Sequence, residues 1–191
     1  MAKRIILGGL IGAVTVFLAL SVVHMLTGLA EDGVKAMPEE DAVMAAMRSS
    51  IHEPGFYFFP GTSMSAGRTK EQQDAEQQRY QQKFEQGPNG VLIYHPGGQA
   101  FSFGKLLINQ FVLNLVEAFL AAGVLAFLPA GTSYGTRVFV VVLMALFAVM
   151  GTNAEYWNWY GFPGRYTLGY SLGSVLSWVA AGLAMAPFVK R

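Results

Sequence analysis

Four stretches of this 191-residue chain are apolar for long enough to cross a membrane. About 20 apolar residues are needed, because a helix rises about 1.5 Å per residue and the hydrocarbon core is about 30 Å thick. The stretches are Ile5 to Leu26, Leu106 to Leu128, Val138 to about Ala154 and Tyr170 to Val189. The sequence therefore predicts an all-α membrane protein: a four-helix transmembrane bundle with a small α+β insertion between spans one and two.

Composition supports this class and excludes several kinds of chemistry. Only 13% of the residues are charged, against roughly one quarter in soluble globular proteins. The formal net charge of +1 provides no basic field for nucleic acid. The absence of cysteine removes disulfides, thiolate nucleophiles, iron–sulfur clusters and cysteine-based zinc sites. We expect no cofactor, no metal and no nucleic-acid partner.

The chain divides into three parts. Residues 1–29 form the first span, residues 30–105 an extracytoplasmic cap, and residues 106–191 spans two to four. Small residues at Gly28 and Ala30 resemble a signal-peptidase site, but the preceding apolar run exceeds the roughly 7–15 residues of a signal peptide's apolar region. We therefore expect the first span to be retained.

Basic residues beside the spans predict the orientation, because Lys and Arg accumulate on the cytoplasmic side of short flanks. In a four-span chain, five basic residues flank the same side of the membrane: Lys3, Arg4, Arg137, Lys190 and Arg191. Arg165 flanks the opposite side and is outnumbered. This predicts cytoplasmic termini and a periplasmic segment 30–105.

The sequence of the cap predicts two helices and two strands. Pro38 followed by three acidic residues, Glu39 to Asp41, predicts the first turn of a short helix. Phe56–Phe59 and Val91–Tyr94 read as strands bounded by proline. Thr69 and Gln72 form a capping box that opens a second helix, which carries seven glutamines over residues 71–86.

Glu117 is the sharpest candidate for chemistry, since it lies near the middle of span two. A carboxylate there costs about 2.5–3.5 kcal/mol even on insertion scales, so it must face protein or water or be protonated. Asn114, three residues earlier, could share a hydrogen bond with it, and Asn109 and Gln110 add polar groups nearer the outer surface. Two interpretations stay open: a hydrogen-bonded clamp between helices and a functional site.

The three histidines give weaker signals. His24 lies near the outer end of span one without a second intramembrane histidine, so we expect a hydrogen bond to backbone; a pigment or haem on His24 alone stays open. His52 and His95 flank the two strands and could approach each other at one edge of the cap. Two histidines without a nearby acid are weak evidence for a metal.

Small residues recur every four positions and allow helix backbones to approach closely, within the bundle or against another subunit. These residues are Gly8 and Gly12 on span one and Gly169, Gly173, Ser177 and Ala181 on span four.

Aromatic residues are dense after span three, where an interfacial belt is expected. Their number suggests a stacked platform or a partner-binding surface, in which Arg165 and Glu155 could pair. Its members are Trp157, Trp159, Tyr160 and Phe162 together with Arg165.

The order of several motifs resembles an uncharacterised family of small four-span bacterial membrane proteins. The specific element is the string Trp-Asn-Trp-Tyr-Gly-Phe-Pro over residues 157–163; His95-Pro-Gly-Gly98 and the Ser177-Trp-Val-Ala-Ala-Gly182 run accompany it. The resemblance implies a bacterial inner-membrane location and four spans. It implies no activity, so it carries over no functional residue.

No catalytic pattern is visible, which favours a non-catalytic role. The leading hypothesis is an accessory or assembly subunit of a larger inner-membrane complex, respiratory or photosynthetic, bound to other membrane subunits or to itself within the lipid bilayer. The alternative is a small homo-oligomeric proton-coupled transporter or channel that uses Glu117. A third hypothesis is an outer-facing sensor or enzyme using His52 and His95.

Overall fold

A computed structural model of the chain describes residues 1–61 and 67–190. The fold is mostly helical, and it confirms four helices that are long and apolar enough to cross a membrane. These four helices span Ala2–Thr27, Phe103–Phe127, Tyr134–Tyr160 and Gly164–Met185. Residue Arg191, which the sequence places among the basic flanks, lies outside the described residues.

Two of these helices contain a π-helical turn. The first consists of α1 (Ala2–Val22) and the turn Val23–Thr27; the third consists of α5 (Tyr134–Val149), the turn Met150–Ala154 and α6 (Glu155–Tyr160). The other two long helices are α4 (Phe103–Phe127) and α7 (Gly164–Met185), and the shorter ones are α2 (Glu40–Ser50) and α3 (Lys70–Gln86).

The third and fourth long helices do not have the same ends as the apolar stretches predicted for them. The third span was expected to end near Ala154, but the helix continues to Tyr160, because the π turn keeps the backbone helical until Gly161 adopts a φ of +70°. The fourth was expected to begin at Tyr170, but α7 begins at Gly164, directly after Pro163. Hydropathy alone misses this early start, since Arg165 lies in the first helical turn.

Helices α1 and α7 pack closely because glycines face the neighbouring helix. A Cβ atom at Gly12 would lie 3.0 Å from Met185 Sδ, and one at Gly173 would lie 2.6 Å from Val23 Cγ1. The remaining ridge residues, Gly8, Gly169, Ser177 and Ala181, are also buried. The small-residue ridges are therefore filled by contacts within the chain.

Basic residues join the helix ends at one end of the bundle. Arg4 Nη1 donates to the Lys190 carbonyl at 2.6 Å, so the start of α1 lies beside Lys190. Arg137, in the first turn of α5, is buried and donates to the carbonyls of Ala186, at 3.3 Å, and Thr132. These bonds give a donor to one carbonyl group at the end of α7 and to one in the loop before α5, which would otherwise be unpaired.

Residues 35–100 form a compact unit, and residues 1–34 with 101–191 form another. In the first of these, β1 (Gly55–Phe59) pairs antiparallel with β2 (Gly90–Tyr94), and Gly55 lies opposite Tyr94. The two predicted strands are confirmed.

Helix α3 begins with the predicted capping box. Thr69 Oγ1 accepts from the Gln72 N–H at 3.3 Å, and Gln72 Oε1 accepts from the Thr69 N–H at 3.1 Å. The start of α2 differs from the prediction: Glu39 has a left-handed φ of 50°, so Pro38 lies outside the helix and the acids of its first turn are Glu40 and Asp41.

Candidate functional site

A groove lies between α4 and α5, and we call it the lateral groove. Helix α1 packs against α4 and α7, and α7 packs also against α5, whereas α4 and α5 make few contacts although they are consecutive. The groove has a volume of about 240 Å³. It is lined by Glu117, Leu120, Ala121 and Val124 of α4, by Val141, Met144, Ala145 and Ala148 of α5, and by Trp178 of α7.

Glu117 is the charged residue of this groove. Its side chain is exposed, and it lies near the middle of α4, ten residues before Phe127. Within residues 1–61 and 67–190, its carboxylate forms no hydrogen bond and no ion pair. Because the other lining residues are apolar apart from the indole N–H of Trp178, the groove presents one strong acceptor on an otherwise apolar surface.

Asn114 does not pair with Glu117, contrary to the expectation from their spacing. Asn114 is fully buried, and its Oδ1 accepts from Gln110 Nε2 at 2.9 Å, while its Nδ2 has no partner among the described residues. The two side chains diverge because residues three apart on a helix differ by about 60° in direction. Asn114 therefore faces the interior beside the buried Ala118, and Glu117 faces the groove.

The expected polar track toward Glu117 is not assembled in the described structure. Asn109 and Gln110 are both exposed, and neither lines the lateral groove. Gln110 instead bonds to Asn114.

A continuous series of rings occupies the opposite end of the bundle from Arg4 and Arg137, and we call it the aromatic ladder. Neighbouring ring centroids in it are 5.3 to 6.0 Å apart. In spatial order its members are Tyr160, Tyr156, Phe162, Tyr166, Tyr170 and His24. Sequence reasoning placed Tyr160 and Phe162 in this surface but did not join His24 to it. Trp157 and Trp159 are exposed, with Trp159 75% accessible.

His24 lies in the π-helical turn after α1, and its Nδ1 is 3.3 Å from Glu31 Oε1. The carboxylate takes the place of the backbone group that we expected as its partner. The segment that follows this turn forms an ion pair with α7: Arg165 Nη2 lies 3.1 Å from Asp32 Oδ1. The predicted pairing of Arg165 with Glu155 is therefore replaced by one with Asp32.

A cavity of about 250 Å³ lies against the aromatic ladder and is lined by polar residues that the sequence did not single out. Thr152, Asn153 and Thr167 contribute to its lining. Asn153 Nδ2 donates to Ser171 Oγ at 3.1 Å, whereas the buried Thr167 Oγ1 has no partner in the described structure. No sequence pattern marks this cavity, because it forms where the second π-helical turn meets the start of α7.

His52 and His95 both lie beyond the same end of the hairpin, since Gly55 pairs with Tyr94. His95 lines a cavity beside α2, and His52 does not. In the part of the chain that the structure describes, no group of three or more His, Asp or Glu side chains is arranged to hold a metal ion.

Comparisons of the chain with protein-family models, curated proteins and solved structures find no match. The resemblance carried by residues 157–163 stays a prediction.

Proposed function

We propose that this chain is a non-catalytic accessory or assembly subunit of a larger bacterial inner-membrane complex, and that its lateral groove receives one transmembrane helix of another subunit. The observation that carries the proposal is the Glu117 carboxylate, which lines the groove and has no hydrogen-bond or ion-pair partner among the described residues. An acid in mid-membrane is costly and normally faces a partner group or water.

The chemistry of the groove defines the helix that fits it. Leu120, Val124 and Met144 provide apolar surface, and Ala145 and Ala148 provide small side chains that allow a close backbone approach. The partner helix must be mainly apolar and must carry one hydrogen-bond donor at mid-depth, such as Ser, Asn, His, Lys or Arg. That donor would supply Glu117 with the bond that this chain does not.

A different subunit fits the groove better than a second copy of this chain. Two copies facing each other through this groove would bring two Glu117 carboxylates together, and like charges at short distance are unfavourable unless one is protonated. The alternative of a homo-oligomeric proton-coupled transporter also needs a polar route to Glu117. Asn109 and Gln110 lie outside the groove, which favours the accessory role.

The distribution of charge supports an orientation with cytoplasmic termini and a periplasmic insertion. Arg4, Arg137 and Lys190 lie at one end of the bundle, where hydrogen bonds join them to neighbouring helix ends. At the other end lie Arg165, which is paired with Asp32, and Lys105, in the first turn of α4. More Lys and Arg residues flank the first end than the second, and such an excess is the pattern that retains an end in the cytoplasm.

The experiment is gentle detergent extraction of a tagged chain from its native membranes, followed by native electrophoresis and mass spectrometry. We expect the wild type to migrate with at least one other membrane subunit. Glu117→Leu should lose that subunit, because it removes the acceptor, while Glu117→Gln should retain part of it through its amide oxygen. Recovery of the wild-type chain alone, or only with copies of itself, would contradict the proposal.

A further inference from the structure

Three methionines and one histidine line a single cavity in the unit formed by residues 35–100. The cavity has a volume of about 460 Å³. Met37 precedes α2, Met44 and Met47 lie three residues apart on one face of α2, and His95 directly follows β2. Helix and hairpin thus bring together three thioethers and one imidazole that are far apart in sequence.

Two of the three methionines are exposed, and the third, Met47, is half-buried. Met37 is 47% exposed and Met44 is 41% exposed. Among residues 35–61 and 67–100, Tyr94 alone is buried. Leu92, Ile93 and Tyr94 of β2 line the same cavity, so the three thioethers and the imidazole lie against an apolar surface of the hairpin and leave an open space beside it.

Ligand softness decides which ion such a cavity suits. Thioether sulfur is a soft ligand that selects Cu(I), and imidazole also binds copper. A methionine side chain has three rotatable bonds, so sulfurs that line the same cavity can converge on one ion. Glu40 and Arg48 line the cavity as well, and because their charges are opposite the cavity carries no net positive charge that would repel a cation.

We propose that this cavity is a Cu(I)-binding site whose ligands are Met37, Met44, Met47 and His95. The site is independent of the lateral groove and of the accessory role. It would give the insertion a function of its own, the capture of copper in its reduced, monovalent form.

The test is anaerobic titration of the full-length detergent-purified chain with Cu(I), in competition with a chromophoric Cu(I) chelator. We expect one equivalent to be withdrawn from the chelator. Met44→Leu combined with Met47→Leu keeps the side-chain volume and should weaken binding at least tenfold, and His95→Gln should weaken it as well. The matched control combines Met25→Leu with Met150→Leu, which are exposed methionines outside this cavity, and should leave binding unchanged.

A second measurement uses the wild-type chain and so does not depend on how well a variant folds. In wild-type chain labelled on methionine methyl groups, Ag(I), a redox-inert substitute for Cu(I), should shift the resonances of Met37, Met44 and Met47 and no others. The proposal is overturned if the chelator keeps all its copper, if the control weakens binding as much as the cavity variants, or if His52→Gln abolishes binding while His95→Gln does not.

Discussion

Arg165 and Asp32 form a two-point ion pair, in which Nη2 lies 3.1 Å from Oδ1 and Nε lies 3.4 Å from Oδ2. The pair joins the first turn of α7 to the chain that leaves α1, 133 residues earlier. Next to it, the Leu29 carbonyl contacts the position where Gly169 has no side chain. The ion pair and the close backbone approach thus lie side by side where α7 meets the segment that follows α1.

The ion pair itself should contribute little stability, because the Arg165 side chain is 82% exposed. Replacing either Arg165 or Asp32 by alanine should cost less than about 1 kcal/mol, and raised salt should reduce that cost. Thermal unfolding of both single variants and the double variant, followed by tryptophan fluorescence, measures the coupling. A coupling well above about 1 kcal/mol would contradict this expectation.

Gly169 should tolerate no side chain. A Cβ atom at this position would collide with the Leu29 carbonyl oxygen, which is backbone and cannot rotate away. Gly169→Ala should therefore destabilise the chain by roughly 1–3 kcal/mol. Gly123→Ala is the matched control, because nothing lies within 4 Å of a Cβ atom there, and it should not lower the melting temperature. Equal effects of the two changes would refute the close approach.

Arg137 should matter more than the other basic residues at its end of the bundle. It is buried and donates to two carbonyl groups, so Arg137→Met should cost roughly 2 kcal/mol through lost hydrogen bonds to a charged donor. Arg4→Met serves as the comparison, because Arg4 is exposed, and should cost less. Unfolding of the two variants in the same detergent gives the difference, and a larger loss for Arg4→Met would contradict the packing described.

Helix α3 should depend strongly on its N-terminal cap. No residue of α3 is buried, so the capping box is its main local support. Thr69→Ala should cost about 1 kcal/mol and increase hydrogen exchange over the first turns of α3. Thr69→Ser, which keeps the hydroxyl, should retain most of the protection. Unchanged exchange in Thr69→Ala would show that other contacts stabilise the helix.

Hydropathy and turn residues were sufficient to predict the four apolar helices, both strands and the capping box. They failed where backbone geometry decides the outcome. The third long helix continues past a π-helical turn to Tyr160, and no sequence pattern predicts such a turn. Likewise, α7 begins with Arg165 in its first turn, which a hydropathy window excludes.

Side-chain partners were harder to predict than helices. Spacing alone suggested Asn114 for Glu117 and Glu155 for Arg165, but helix packing turns Asn114 inward and brings Asp32 to Arg165. His24 joins the aromatic ladder through Tyr170, a contact between two helices far apart in sequence. Long-range contacts of this kind depend on how helices assemble, which periodicity does not encode.

The most direct test of the proposed function is photo-crosslinking from the lateral groove in native membranes. A photoreactive residue placed at Val124 or Ala148 should form a discrete adduct with one other polypeptide, and Glu117→Leu should abolish it. The same probe at Leu176, an exposed residue of α7 outside the groove, should form none. Adducts only with lipid or with a second copy of this chain, or equal adducts from Leu176, would contradict the account.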